Sequence, residues 1–158
     1  MSSTHHAMRT VPARMFSRGS GHTKGMGIGE LLFVYILGGL GYGGIEMLWQ
    51  GQTHWTMLLL GGLCYLAIYG LTVNLRRPLL WKWLLCALVV TGLEFCAGCL
   101  LNLWLGWDIW DYTGRTGNVL GQICPFYALC WFVLSIPASA LAWAIRRWIF
   151  KKEGAAGR

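Results

Sequence analysis

Two glutamates lie inside apolar stretches of the sequence, where a carboxylate is unexpected. Glu94 is near the middle of "LLWKWLLCALVVTGLEFCAGCLLNLWL", and Glu46 is close to the end of "YILGGLGYGGIEMLW". A charge at the centre of a membrane helix costs roughly 2.5 kcal/mol or more, so ionisable residues there usually face a protein interior or a water-filled cavity. The two carboxylates could bind a cation, a proton or a polar solute, or could act as acid and base in catalysis.

Four apolar blocks must position these groups, and they are the dominant feature of the chain. The 158 residues are 56% hydrophobic and 12% charged, whereas a soluble domain carries about 25% charged residues. A helix needs about 20 apolar residues to cross a hydrocarbon core of ~30 Å, and lipid-exposed backbone must satisfy its own hydrogen bonds. We therefore expect an all-α, integral membrane four-helix bundle with helices at 28–49, 55–74, 79–104 and 124–150.

The basic residues predict how this bundle is oriented. With four crossings, twelve of the thirteen Lys and Arg residues fall on one side, and Arg115 alone falls on the other. The positive-inside rule then places both termini in the cytoplasm. The predicted domains are a disordered basic tail (1–27), the membrane domain (28–150) and a basic C-terminal tail (151–158). Glu30, near the inner boundary, is expected to stay solvated.

The polar residues of the outer half are predicted to converge. Glu94 shares one face of the third helix with Asn102, since they lie at helical spacing, and His54 begins the second helix. We expect a polar pocket that opens to the outside and has Glu94 as its floor. Its lining is predicted to be Glu46, His54, Glu94, Asn102 and Gln122. The outer loop "WDIWDYTGRTGN" would cover it, with a lid formed by Trp110, Asp111 and Tyr112.

Other interpretations of these residues remain open. Glu94 could hydrogen-bond to a neighbouring helix and only fix helix packing. The thiols of "CAGC", Cys96 and Cys99, could be a redox pair, but reactive thiols need exposure and a lowered pKa, and these lie inside a helix. A zinc site with His54 lacks an evident fourth ligand. We therefore predict neither a metal nor a cofactor. Nucleic-acid binding is not expected, because no soluble domain presents the basic residues.

Several short motifs, in this order, resemble a known family. The motifs are "GIE" (44–46), "HWTM" (54–57), "EFCAG" (94–98) with Asn102, "WDY" (110–112), Asn118 and "GQIC" (121–124). Together they resemble the type-IV ABC-transporter (CmpB-type) family of bacterial membrane proteins over residues 30–150. The resemblance implies a permease-like component of a transport system, and it adds Asn118 to the candidate binding residues.

The leading hypothesis is a small permease or transport component that binds a cation, proton or polar solute. The resemblance also implies a location in the bacterial cytoplasmic (inner) membrane. The partners would be the lipid bilayer and either further copies of the chain or, as the resemblance implies, a separate ATPase subunit. The chain itself has no GxxxxGK[ST] motif for a nucleotide. One alternative is a membrane-embedded acid/base enzyme that acts on a lipid-linked or envelope substrate. Another is a non-catalytic accessory subunit. The sequence leaves enzymatic activity undecided but favours a non-enzyme.

Overall fold

The computed structural model describes residues 25–150, and these residues form four helices. All four are long and apolar enough to cross a membrane, which confirms the predicted all-α membrane fold. The predicted tails lie outside the described residues, apart from 25–27. Two helices continue into wider π-helical turns. The elements are α1 (Ile28–Gln50), α2 (Trp55–Asn74), α3 (Leu79–Gly98) with its π turns (Cys99–Trp104), and α4 (Pro125–Ile145) with its π turns (Arg146–Phe150).

Local residue chemistry explains where the helices begin and end. α1 stops at Gly51, which adopts φ 74°, a left-handed conformation that costs glycine little. α2 begins after His54, whose ring nitrogen accepts a hydrogen bond from the Thr56 N–H at 3.4 Å. Pro78 precedes α3 and Pro125 opens α4, positions where a missing amide hydrogen is tolerated.

The packing of α1 against α2 depends on glycines at the contact. A Cβ on Gly39 would lie 2.6 Å from the carbonyl oxygen of Leu58, and a Cβ on Gly61 would lie 2.3 Å from the Cβ of Tyr42. Small residues let membrane helices approach this closely and gain van der Waals contact. α2 also contacts α3 and α4, so it is the central helix of the bundle.

A buried ion pair fastens the end of the bundle that is predicted to be cytoplasmic. Glu30 of α1 is only 5% exposed, and Arg146 places its Nη1 at 2.5 Å from both carboxylate oxygens. The hydroxyl of Tyr69 in α2 donates a third hydrogen bond to Glu30. The expectation that Glu30 stays solvated is therefore wrong. The apolar pattern predicts how far along α1 Glu30 lies, but it does not predict that Tyr69 of α2 and Arg146 at the end of α4 pack against its carboxylate and bury it.

Candidate functional site

A polar cavity of about 280 Å³ opens between α1, the start of α2 and the loop after α3. Of the predicted pocket residues, Glu46 and His54 line it. The loop contributes Trp107, Asp108 and Ile109 to the lining, and none of these was among the predicted binding residues. The full lining is Glu46, Gln50, Gln52, Thr53, His54, Met57, Trp107, Asp108 and Ile109.

Glu46 is the most enclosed charged group of this cavity. It is 8% exposed, and Thr53 donates a hydrogen bond from Oγ1 to Glu46 Oε2 at 2.5 Å. The Tyr42 side chain, one helical turn earlier on α1, lies near this carboxylate. The bond from Thr53 stabilises the negative charge on the carboxylate and fixes its orientation.

Aromatic rings form the neighbouring wall. The ring centroid of His54 lies 5.6 Å from that of Trp55 and 6.0 Å from that of Trp107, and the two Trp rings are 6.1 Å apart. The His54 Nδ1 atom is occupied by Thr56, whose Oγ1 lies at 2.8 Å. Packed rings of this kind offer π faces, which attract cations.

The charge of the lining is negative. It contains the carboxylates of Glu46 and Asp108 and, among the described residues that line it, no Lys or Arg. Asp108 holds a left-handed conformation, with φ 47°, in the turn that follows Trp107. A cleft with one sign of charge concentrates ions of the opposite sign.

Glu94 is placed in a separate, closed cluster below the loop. It is 3% exposed and is not among the residues that line the cavity. The Tyr112 hydroxyl donates to Oε1 at 3.0 Å, and the Trp131 indole donates from Nε1 to Oε2 at 2.7 Å. In the described part of the chain, no cationic side chain lies within ion-pair distance of Glu94.

Tyr42 lies between the cavity and this cluster. Its ring stacks on that of Trp131, with centroids 5.6 Å apart and planes at 19°. Its side chain lies near the carboxylates of both Glu46 and Glu94. Sequence reasoning missed Tyr42 as a site residue, although its four-residue spacing from Glu46 puts both on one face of α1.

Asn102 and Gln122 are brought together, but they tie the loop to α3 rather than line the cavity. Asn102 Nδ2 donates to Gln122 Oε1 at 2.8 Å and to the Trp110 carbonyl at 2.9 Å, and Asn102 Oδ1 accepts from the Ile109 N–H at 2.8 Å. The Trp110 indole in turn donates to the Gln122 carbonyl at 3.0 Å. The two amide side chains thus use their hydrogen-bonding capacity to fix the loop.

The remaining predicted residues shape the loop. Asp111 is exposed, and its carboxylate accepts from the Thr113 N–H and Oγ1, each at 2.8 Å. The backbone bond and then the hydroxyl bond lower the pKa of Asp111. Asn118 Nδ2 donates to the carbonyls of Thr113 and Arg115 at 3.0 and 2.9 Å. Neither residue lines the cavity.

Tyr112 has a different position, since it reaches from the loop into the bundle. Its ring stacks on Tyr127, with centroids 4.5 Å apart. Burial, followed by the nearby charge of Glu94, raises the pKa of Tyr112. The phenol therefore stays protonated in the neutral pH range and donates its hydrogen bond to Glu94.

The described residues contain no group of three or more His, Cys, Asp or Glu side chains that could hold a metal ion. Cys96 and Cys99 are free thiols; Cys96 is exposed on the side of α3, and Cys99 is partly buried.

The amino-acid sequence matches the model of a known protein family. Residues 23–152 match the family described as "Putative ABC-transporter type IV". The chain belongs to this family. The match covers all four helices, the cavity, the Glu94 cluster and the Glu30–Arg146 ion pair of this ABC-transporter-family protein. No curated protein and no solved structure matches the chain.

The family and the four apolar helices together identify a membrane protein related to transport. The family resemblance expected from the motifs is confirmed, and so is the expectation of a membrane protein.

Proposed function

We propose that the polar cavity lined by Glu46 is the solute-binding site of a transport component in a bacterial cytoplasmic membrane. We further propose that its solute is a small cation. One observation carries the proposal: the Glu46 carboxylate is almost fully buried yet lines an accessible cavity. A carboxylate held in a poorly hydrated site interacts with a cation more strongly than it would in water.

The second carboxylate and the rings support a cation over an anion. Asp108 adds a second negative charge to the lining, and the lining offers no Lys or Arg among the described residues. The aromatic rings of Trp107 and His54 line the same cavity as these carboxylates. Ammonium groups are bound by this combination of carboxylate and aromatic ring. The volume of about 280 Å³ is at the lower end of ligand pockets, which start at ~300 Å³, so the cation is small.

The loop has a supporting role in this proposal. Trp110, Asp111, Tyr112 and Asn118 shape the segment that carries Trp107 and Asp108, and Asn102 and Gln122 fasten it to α3. The distribution of Lys and Arg supports an orientation in which the cavity opens towards the outside of the cell. A separate ATPase subunit would drive transport from the cytoplasmic side.

Calorimetric titration of the purified protein in nanodiscs tests this proposal. Methylammonium, ammonium, K⁺ and Na⁺ are titrated as chlorides, and acetate is titrated as an anion. We expect at least one cation to bind and acetate not to bind. Glu46→Gln removes a charge-assisted contact and is expected to weaken cation binding by roughly 10- to 100-fold.

Asp111→Asn is the matched control, because it removes an exposed carboxylate of the same loop that does not line the cavity. Its affinity for the cation should stay close to wild type. Equal losses in Asp111→Asn and Glu46→Gln would show a general effect of surface charge and would exclude the cavity as the site.

A further inference from the structure

The turn between α2 and α3 carries two arginines whose charges are not neutralised within the described part of the chain. We propose that this turn binds an anionic phospholipid, with its phosphate held by Arg76 and Arg77 and its acyl chains lying against the start of α3. α2 begins beside the Glu46 cavity at His54 and ends at Asn74, so the turn is at the opposite end of the bundle. The proposal is therefore independent of the proposed function.

The turn is short and is held in place at both of its ends. α2 ends at Asn74 and α3 begins at Leu79. Lys82, in the first turn of α3, donates a hydrogen bond from Nζ to the carbonyl oxygen of Thr72 at 3.1 Å, which ties α3 to the last turn of α2. Pro78 has φ −53°, and a proline also restricts the residue before it to extended conformations. The two arginines are thus carried by a segment with little conformational freedom.

The positive charge of the turn is open to a ligand. Arg76 and Arg77 are both exposed. Neither guanidinium makes a hydrogen bond, an ion pair or a ring contact with another described residue. Glu30, the acid that the described residues place at this end of the bundle, is engaged by Arg146 and Tyr69. The planar guanidinium group matches the geometry of phosphate oxygens, so the turn suits a phosphate.

The depth of the arginines favours a lipid phosphate over a soluble anion. The apolar spans on the two sides of the turn are Trp55–Asn74 and Leu79–Trp104. The second span has 26 residues, so it is about 39 Å long at ~1.5 Å per residue. Because the hydrocarbon core is only ~30 Å thick, the ends of this span reach the head-group layers. Arg76 and Arg77 directly precede the span and therefore lie at the level of the lipid phosphates.

Exposed apolar side chains complete the surface. Leu79, Leu80 and Trp81 open α3 and are 61%, 62% and 58% exposed. Tryptophan is enriched at the boundary between hydrocarbon and head groups, and basic sites at helix ends bind the head groups of anionic lipids. A phospholipid fits both parts of the surface, because its phosphate meets the arginines and its chains cover the apolar side chains. A free phosphate or an acidic protein fits only the charged part.

Native mass spectrometry of the purified full-length chain in detergent tests the proposal, because it counts bound lipids and gives their dissociation constants. Phosphatidylglycerol is the anionic probe, and phosphatidylcholine with the same acyl chains is the zwitterionic probe. A basic side chain near an anionic lipid strengthens binding by roughly 5-fold. We therefore expect the wild-type protein to bind its first phosphatidylglycerol about 25-fold more tightly than phosphatidylcholine at low salt. High salt should weaken this preference through screening.

Substitution of the arginines should remove the preference. Arg76→Gln and Arg77→Gln should each lower it by roughly 5-fold, and the double variant should abolish it. Both side chains are exposed, so the thermal unfolding of the variants should match wild type. Arg115→Gln is the matched control, because it removes one exposed arginine at the other end of the bundle. Arg115 already lies over the ring of Phe126, 5.7 Å from its centroid, so its loss should leave the preference unchanged.

Two results would overturn the site. One is equal affinity of the wild-type protein for the two lipids, and the other is an equal loss in Arg77→Gln and Arg115→Gln, which would show a general effect of surface charge.

A competition arm separates a lipid from a free anion. Excess inorganic phosphate should not displace phosphatidylglycerol more than chloride does at the same ionic strength, since phosphate cannot cover the apolar side chains. Specific displacement by phosphate would show that the turn takes a free anion and would also overturn the proposal. None of these outcomes affects the calorimetric test of the Glu46 cavity.

Discussion

Replacing Glu94 by glutamine and by leucine separates its chemical role from its packing role. The carboxylate accepts one hydrogen bond from Tyr112 and one from Trp131. An indole N–H can only donate, but a tyrosine hydroxyl can donate or accept. Glutamine can therefore satisfy both neighbours, by accepting from Trp131 through its oxygen and donating to Tyr112 through its amide. Leucine can satisfy neither.

The two substitutions should differ clearly in stability. Each donor left without an acceptor in a buried site costs about 1–3 kcal/mol, so Glu94→Leu should lower the free energy of unfolding by about 2–6 kcal/mol. Glu94→Gln exchanges a charged acceptor for a neutral one and should cost about 1 kcal/mol.

Equilibrium unfolding in mixed micelles, followed by circular dichroism, measures these differences. Thr91→Val is the control: Thr91 lies one turn before Glu94 on α3, and its hydroxyl is buried without a partner among the described residues. Its removal should cost little. If Glu94→Gln were as unstable as Glu94→Leu, the stability would not depend on acceptors for Tyr112 and Trp131, and the hydrogen-bond argument would be refuted.

Two further predictions concern the bundle itself. Gly39→Ala should destabilise the protein by about 1–3 kcal/mol through overpacking, because the added Cβ would meet the Leu58 carbonyl. A Cβ on Gly41 has no neighbour within 4 Å, so the control Gly41→Ala should be neutral or stabilising. Equal unfolding midpoints for the two variants would contradict the close α1–α2 contact. Glu30→Gln should cost roughly 3 kcal/mol, because it leaves the Arg146 charge without its carboxylate. A double-mutant cycle with Arg146→Gln should give clear coupling in unfolding, and additive effects would count against the ion pair.

The apolar blocks predicted the helices well because hydrophobic length and composition decide which segments can cross a membrane. The predicted bounds agree with the structure within a few residues, including the extension of the third helix to Trp104. The start of α4 at Pro125 follows from the fixed φ of proline, which suits the first turn of a helix.

The partners of the polar residues could not be predicted from periodicity. A helical pattern gives the face and depth of a residue, but the neighbouring helix and its rotation come only from packing. Glu94 was expected as the floor of the pocket, yet Tyr112 and Trp131 enclose it. Trp107 and Asp108 reach the cavity through a left-handed turn at Asp108, a backbone conformation that residue types seldom reveal.

The dependence of binding on ligand charge tests the central claim most directly. Methylammonium and methanol are similar in size and differ in charge, so their affinities for the wild-type protein can be compared by calorimetry in the same nanodiscs. If the Glu46 cavity is a cation site, methylammonium binds at least about tenfold more tightly than methanol, as the loss of one charge-assisted contact requires. Equal affinities, or a preference that persists unchanged in Glu46→Gln, would contradict the assignment.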